Sequence, residues 1–328
     1  MAQMLPGRIR AHRRRPRESS LAPASRVPRI VGGALLGVAI VQVVRTVTRA
    51  RRALLRSEWT MIPGLRRSTS LAVHARLSDD VATSLPPVVL VHGYGVGSSY
   101  FIPLAARLRE VADVYAPDLP GHGPSEHDVR PLNIRELARA LAAWMDANRL
   151  RAAVVVGHSM GSQVAAEVAA RRPDLVSGLV LIAPASDPMA RSVVGQIVRL
   201  ARGLVFERPG LVVWGVLDCT RSGVRVLVAE LAGLIAHRIE DVLPRVTVPV
   251  RVVRGRWDQL VPQTWAETVA RLADAPSPTV IGRWSHAVHY GDPDAVVDVV
   301  VELAAEVARV RAARTPLGER PGESRTPT

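Results

Sequence analysis

From Leu71 onward the chain alternates short apolar runs with longer stretches whose apolar positions recur every three to four residues. Short β-branched runs suit strands covered on both faces, and the longer period suits helices with one buried stripe. The pattern predicts strands at Leu71 to Arg76, Val88 to Val91, Val114 to Ala116, Ala153 to Val156, Leu179 to Ile182, Val250 to Val253 and Thr279 to Ile281. It predicts helices at Ile102 to Val111, Ile134 to Asn148, Gly161 to Arg171, Gln263 to Ala273 and Pro293 to Arg314. The last places Val296, Val297, Val300, Leu303 and Ala304 on one stripe, fit to pack on a sheet. Such alternation is the mark of an α/β domain with a mostly parallel sheet between helices.

One interval breaks the rhythm. Between Pro184 and Val250 the chain runs for about sixty residues where a plain crossover needs a dozen or so, so an insertion is expected. Helical periodicity appears from Ser192 to Phe206 and from Val224 to Leu243, with Leu211-Val212-Val213-Trp214 between. An apolar insert beside a sheet's carboxyl edge is suited to serve as a lid; the alternative is a helical elaboration that only packs.

The termini follow other patterns. Residues 1–29 mix arginines with Pro and Ser and lack the apolar content to form a core. Ile30 to Val44 is apolar but for glycines and Gln42, and Arg45, Arg49, Arg51, Arg52 and Arg56 follow. No small-x-small site follows the apolar run, which tells against a cleaved leader. Membrane association through residues 30–47, as a single N-terminal segment, is the expectation, with a helix docked on the fold as the alternative. Thr315 to Thr328 is Pro, Gly and charge, and reads as a disordered tail. The expected organisation is therefore a basic N-terminal segment 1–52, a core of 53–184 and 248–314, a helical lid 185–247 and a tail 315–328.

Composition changes this picture little. The chain has 328 residues, 48% hydrophobic, ample for one large α/β domain. Its net charge of +14 comes entirely from arginine among the basic residues, since no Lys occurs. No nucleic-acid motif accompanies the charge, so a nucleic-acid partner is not expected. Cys219 is the sole cysteine, which rules out an internal disulfide.

The chemistry concentrates at strand ends. Gly157-His158-Ser159-Met160-Gly161 follows the strand at Ala153 and opens a helix, the context in which a G-x-S-x-G pattern forms a sharp turn that exposes its serine. The pentapeptide alone is weak, expected by chance on the order of 0.1 times in such a chain. A serine hydroxyl also needs a base to take its proton and an acid to orient that base. Asp258 stands after the strand Val250 to Val253, and His286 after the strand Thr279 to Ile281. Parallel strands would bring all three to one sheet edge. An oxyanion hole needs backbone N–H groups aimed at the developing charge. The turn Val91-His92-Gly93-Tyr94-Gly95 offers the amide of Tyr94, and Met160 offers the amide after the serine.

Together with Asp118-Leu119-Pro120-Gly121-His122-Gly123-Pro124-Ser125 and Val261-Pro262, these motifs in this order resemble the serine hydrolases of the α/β-hydrolase superfamily, from about Trp59 through Arg314. The resemblance implies the α/β-hydrolase fold, a mostly parallel eight-stranded sheet flanked by helices, with the lid inserted after the sixth strand. It implies Ser159 as nucleophile, Asp258 as acid and His286 as base, with Tyr94 and Met160 supplying the oxyanion amides. No metal or organic cofactor is implied. Ser285 and Gly291 stand where a glycine and an acidic residue are frequent.

The expected reaction is hydrolysis of an ester-like acyl bond in a small, lipophilic substrate through an acyl-enzyme. Relatives sharing this triad also include carbon–carbon bond hydrolases, thioesterases and cofactor-free peroxidases. Dehalogenases and epoxide hydrolases use an aspartate at the elbow, against which Ser159 argues. The alternative of another class is a ligand-binding protein on the same fold. His289 is a rival base and Asp187 a rival acid. Asp118, His122, His92 and His158 are expected to hold turns, and Trp257 and Trp284 to line the site or simply pack.

Overall fold

A computed structural model describes Val41 and residues 55–64, 70–78, 83–127, 130–282 and 284–314. Residues 1–29, all but Val41 of the 30–47 segment, and the 315–328 tail lie outside the described residues. Among the described residues no helix is long and apolar enough to cross a membrane.

The described chain forms β1 (Arg56–Pro63), β2 (Ser70–Ser78), β3 (Val88–Val91), α1 (Ile102–Leu108), β4 (Val114–Pro117), α2 (Ile134–Ala147), β5 (Ala153–His158), α3 (Met160–Arg171) and β6 (Val176–Ile182). It continues with α4 (Val193–Leu204), α5 (Pro209–Ser222), α6 (Val224–Ala236), β7 (Val250–Gly255), α7 (Gln263–Leu272), β8 (Thr279–Ile281), α8 (Val288–Gly291) and α9 (Pro293–Arg314). The eight strands form one sheet in the order β1-β2-β4-β3-β5-β6-β7-β8. β2 runs antiparallel to both its neighbours, and every pairing from β4 to β8 is parallel. This is the α/β-hydrolase arrangement expected from the motifs.

Burial explains the strand choices. All residues of β3 and β5 are buried, because helices cover both faces of the central sheet and only side chains with no polar group to satisfy pack there cheaply. α2 starts at Asn133, whose side chain accepts from the Glu136 amide while Glu136 returns a bond to the Asn133 amide, satisfying two donors that a helix start leaves unpaired. α9 buries Val296, Val300, Leu303, Ala304 and Val307 against the sheet.

Three elements depart from expectation. β1 had no separate sequence signal; it is an edge strand that buries only Ile62, while Trp59 and Met61 face outward at 56% and 58% exposure. The stretch around Leu211 to Trp214 is helical as part of α5, which begins at Pro209, whose fixed φ suits a first helical turn. The helix expected to reach Leu243 stops at Ala236, where His237 turns extended, and short 3₁₀ turns at Ile239–Asp241 and Leu243–Arg245 complete the connection.

The pairing registers decide where the loops meet. Val91 pairs with Gly157, His158 with Ile182, Ile182 with Val253, and Gly255 with Ile281. Because these strands are parallel and end level, the turns after β3, β5, β7 and β8 emerge at one edge. The segment holding α4, α5 and α6 leaves that same edge after β6.

Candidate active site

Ser159 sits between β5 and α3 at φ 55°, ψ −118°, a conformation that non-glycine residues rarely adopt and that surrounding structure must hold in place. Its N–H donates to Ile182 O at 2.9 Å, and Ser162 Oγ donates to Gly157 O at 2.9 Å. The turn is this tight only because two positions lack a Cβ. One on Gly157 would collide with Gly161 O, and one on Gly161 would collide with Val91 O and lie 2.6 Å from His92 O. Ser159 itself is 7% exposed. Met160 is the first residue of α3, so its amide belongs to the unpaired, partly positive end of a helix.

His286 Nδ1 and Asp258 Oδ2 are 3.0 Å apart. Asp258 also accepts from the amides of Leu260 (2.8 Å) and Val261 (3.1 Å) through Oδ1. Arg254 donates to the carbonyls of Asp258 and Val261, which fixes the loop that carries Asp258. Burial pushes the His286 pKa down, but the Asp258 carboxylate and, more weakly, Glu207 outweigh it, so the value stands above the ordinary 6.5. Among the described residues no hydrogen bond joins the Ser159 hydroxyl to His286; such bonds commonly tighten only when substrate binds.

Behind the serine a buried relay links three turns. Gly93 N–H donates to Tyr100 Oη at 2.9 Å, Tyr100 Oη lies 2.7 Å from His158 Nδ1, and His158 Nε2 lies 3.1 Å from His286 O. One proton arrangement satisfies all three: Tyr100 donates to Nδ1, and the Nε2–H of neutral His158 donates to the carbonyl. Burial and the charges of His289 and His286 keep the His158 pKa well below 6.5. Gly93 lies directly against the serine, since a Cβ there would be 3.2 Å from Ser159 Cβ.

The rival residues fall elsewhere. His289 is fully buried against Tyr100, Phe101 and His158, and neither ring nitrogen has a hydrogen-bond partner among the described residues. Burial and then the charge of His286 hold its pKa at about 3. Asp187 accepts from Met189 N at 3.0 Å and pairs with Arg199 at 2.5 Å, leading the chain into the insertion. Asp118 holds a turn, accepting from both Ser98 N and Ser98 Oγ and pairing with His74. His92 accepts from Leu119 N at 2.9 Å and bonds Gly93 O. His122 pairs with Glu230 of α6 at 2.9 Å, both side chains buried.

The insertion lies over these turns. A Cβ on Gly95 would be 2.8 Å from Cys219 Sγ and 3.2 Å from Leu227 Cδ2, and one on Gly203 would be 3.4 Å from Leu260 and Ser285 atoms. Between α4 and α5, Phe206 stacks on Trp257 at 5.7 Å, Glu207 Oε1 accepts from Ala287 N at 3.0 Å, and Arg208 lies 4.5 Å over the ring of Trp284. Sequence reasoning missed Glu207. The available signal was that it is the only acidic residue between Asp187 and Asp218. A cavity of about 400 Å³, lined in part by Arg76, Ser99, Asp118, Trp214 and Arg221, does not include Ser159, Asp258 or His286.

Comparison with known proteins agrees with this architecture. Residues 86–209 match the family model described as alpha/beta hydrolase fold. A biotin biosynthesis bifunctional protein of Cellvibrio japonicus is 27% identical over 259 residues, which cover 70% of this chain; the chain spans only 50% of that relative. A pimeloyl-[acyl-carrier protein] methyl ester esterase of Vibrio vulnificus is 24% identical over 245 residues, covering 67% of this chain and 94% of the relative. The structure of a thermophilic esterase from Thermogutta terrifontis superposes with a TM-score of 0.64 at 21% identity, covering 76% of this chain and 99% of that one. Sheet order, the turn at Ser159 and these likenesses agree: the chain has the α/β-hydrolase fold.

Proposed function

We propose that the protein is a serine hydrolase that cleaves an ester-like acyl bond in a lipophilic substrate through an acyl-enzyme. The observation that carries this reading is the 3.0 Å contact of His286 Nδ1 with Asp258 Oδ2, at the same sheet edge as a serine held in the strained turn. Ser159 Oγ attacks the carbonyl carbon as neutral His286 takes its proton. The amides of Tyr94 and Met160 hold the oxyanion, the second reinforced by the α3 terminus. His286 then returns the proton to the leaving alcohol, and water repeats the sequence to release the acid.

Residues 185–247 serve as a lid that selects the substrate. Support comes from their surface: Met189, Val194, Val205, Val224 and Val228 are each more than 60% exposed. Membrane association through residues 30–47 belongs to the same reading, since a lipophilic substrate partitions to membranes.

The test is labelling with a fluorophosphonate probe. Wild type reacts and Ser159→Ala does not; a folded wild type that stays unlabelled sinks the reading. An ester panel graded by acyl length then tests the lid, and turnover confined to short soluble esters removes the lipophilic part. Fractionation of the full chain against one lacking residues 1–52 tests the membrane part, which fails if both stay soluble.

A further inference from the structure

Three consecutive residues of the α4–α5 connection grip the two loops that carry the acid and the base. Phe206 stacks almost parallel (12°) on Trp257, the residue before Asp258. Arg208 covers Trp284, two residues before His286, and donates to Gly291 O at 2.7 Å. Between them Glu207 accepts the Ala287 amide at 3.0 Å, directly after His286. An aromatic stack and a cation–π contact thus hold a carboxylate against the base's own backbone.

We propose that Glu207 is a positioning residue for His286, a second carboxylate delivered by the insertion that fixes the 286–287 backbone and adds negative charge beside the base. This rests on the reading of His286 as the general base. Asp258 orients the ring through Nδ1, whereas Glu207 acts from the main-chain side, so the two do different work. A closed insertion then supplies part of the base's electrostatic environment, and lifting it removes that part. The insertion thereby couples substrate access to the basicity of His286.

The groups facing His286 are Asp258, Glu207, His158 on its carbonyl and the buried His289; Arg254 stands behind Asp258, and Arg208 is turned onto Trp284 and Gly291. Burial raises the Glu207 pKa, with the Asp258 charge, while the Ala287 amide and the charge of His286 hold it down. The same Coulombic coupling contributes to the raised value of His286. Removing the charge of Glu207 therefore makes His286 less basic.

The experiment compares full-length wild type with Glu207→Gln, which keeps an acceptor of the same shape, and Glu207→Ala, which keeps neither. Histidine ring carbons labelled with carbon-13 are followed through pH by NMR, with His286→Gln assigning the His286 signal. The expected result is a His286 midpoint about 0.5 pH unit or more lower in Glu207→Gln; a smaller displacement, or one in the other direction, overturns the electrostatic part. Fluorophosphonate labelling at a pH above both midpoints is expected to be about tenfold slower in Glu207→Ala than in Glu207→Gln, and equal rates overturn the positioning part. Absent labelling in wild type indicts the serine hydrolase reading instead, and the NMR titration, which needs no turnover, still decides Glu207.

Discussion

His158 and His286 are joined by a 3.1 Å contact from the ring Nε2 of the first to the backbone carbonyl of the second. The residue before the serine thereby pins the loop of His286 across 128 positions of sequence. Its other nitrogen is anchored by Tyr100, which also receives the Gly93 amide. One phenol and one imidazole hold three turns in register.

Tyr100→Phe is expected to leave both the Gly93 amide and His158 Nδ1 unpaired in a dry interior. The cost should be about 1–3 kcal/mol of stability, read from chemical denaturation, with a parallel loss of Ser159 labelling. Unchanged stability would show that the relay is not a structural link.

Asp258→Asn should preserve the fold while lowering kcat by about 10⁴, because the amide no longer stabilises the imidazolium or selects its tautomer. As the proposed base, His286 must be neutral in wild type to accept the serine proton. Its raised pKa places the acid limb of the rate profile above pH 6.5, and activity should rise with pH through that limb. A limb well below 6.5 contradicts the assignment of His286.

The buried pair His122–Glu230 ties α6 to the loop after β4. Burial opposes the charge on His122, yet Glu230 and then Asp118 raise its pKa above 6.5. A raised histidine contributes its full stabilisation below the unfolded value of about 6.5 and loses it as pH rises through the folded value. Limited proteolysis within residues 192–236 should therefore quicken as pH rises above 6.5, and Glu230→Gln should abolish that pH dependence. A cleavage rate flat between pH 6 and 9 in wild type contradicts this.

Gly161→Ala places a methyl into the Val91 carbonyl. A backbone clash has no side chain to yield, so the expected loss is on the order of 4 kcal/mol or more, seen as failure to recover folded protein. Gly215→Ala, where a Cβ meets nothing within 4 Å, is the control and should be neutral or slightly stabilising.

How much of this was legible in the sequence depended on how local each signal is. Ser159, Asp258 and His286 each follow a short strand rich in β-branched residues, interrupted only by Arg251 and Arg254 in the second, so their order and their common edge follow from the runs at Ala153, Val250 and Thr279. β1 was not legible because Arg56, Glu58 and Thr60 interrupt it and Ile62 alone is buried. α5 was obscured because Gly210 and Gly215 break an otherwise apolar stretch. Glu207 carried no local pattern; its partner Ala287 is 80 residues away, and only the folded insertion brings the two together.

The sole cysteine gives the contact between α5 and the turn after β3 a practical use. Cys219 Sγ donates to Gly95 O at 3.3 Å, and burial, with the nearby Asp218 and Glu230, raises its thiol pKa. The thiol is half-buried and a thiolate at this point forms reluctantly, so it meets reagents faster when the helix moves away from the turn beside Tyr94. A change in the alkylation rate of the unmodified chain thus reports movement of α5 from the turn at Gly95, with no engineered label required.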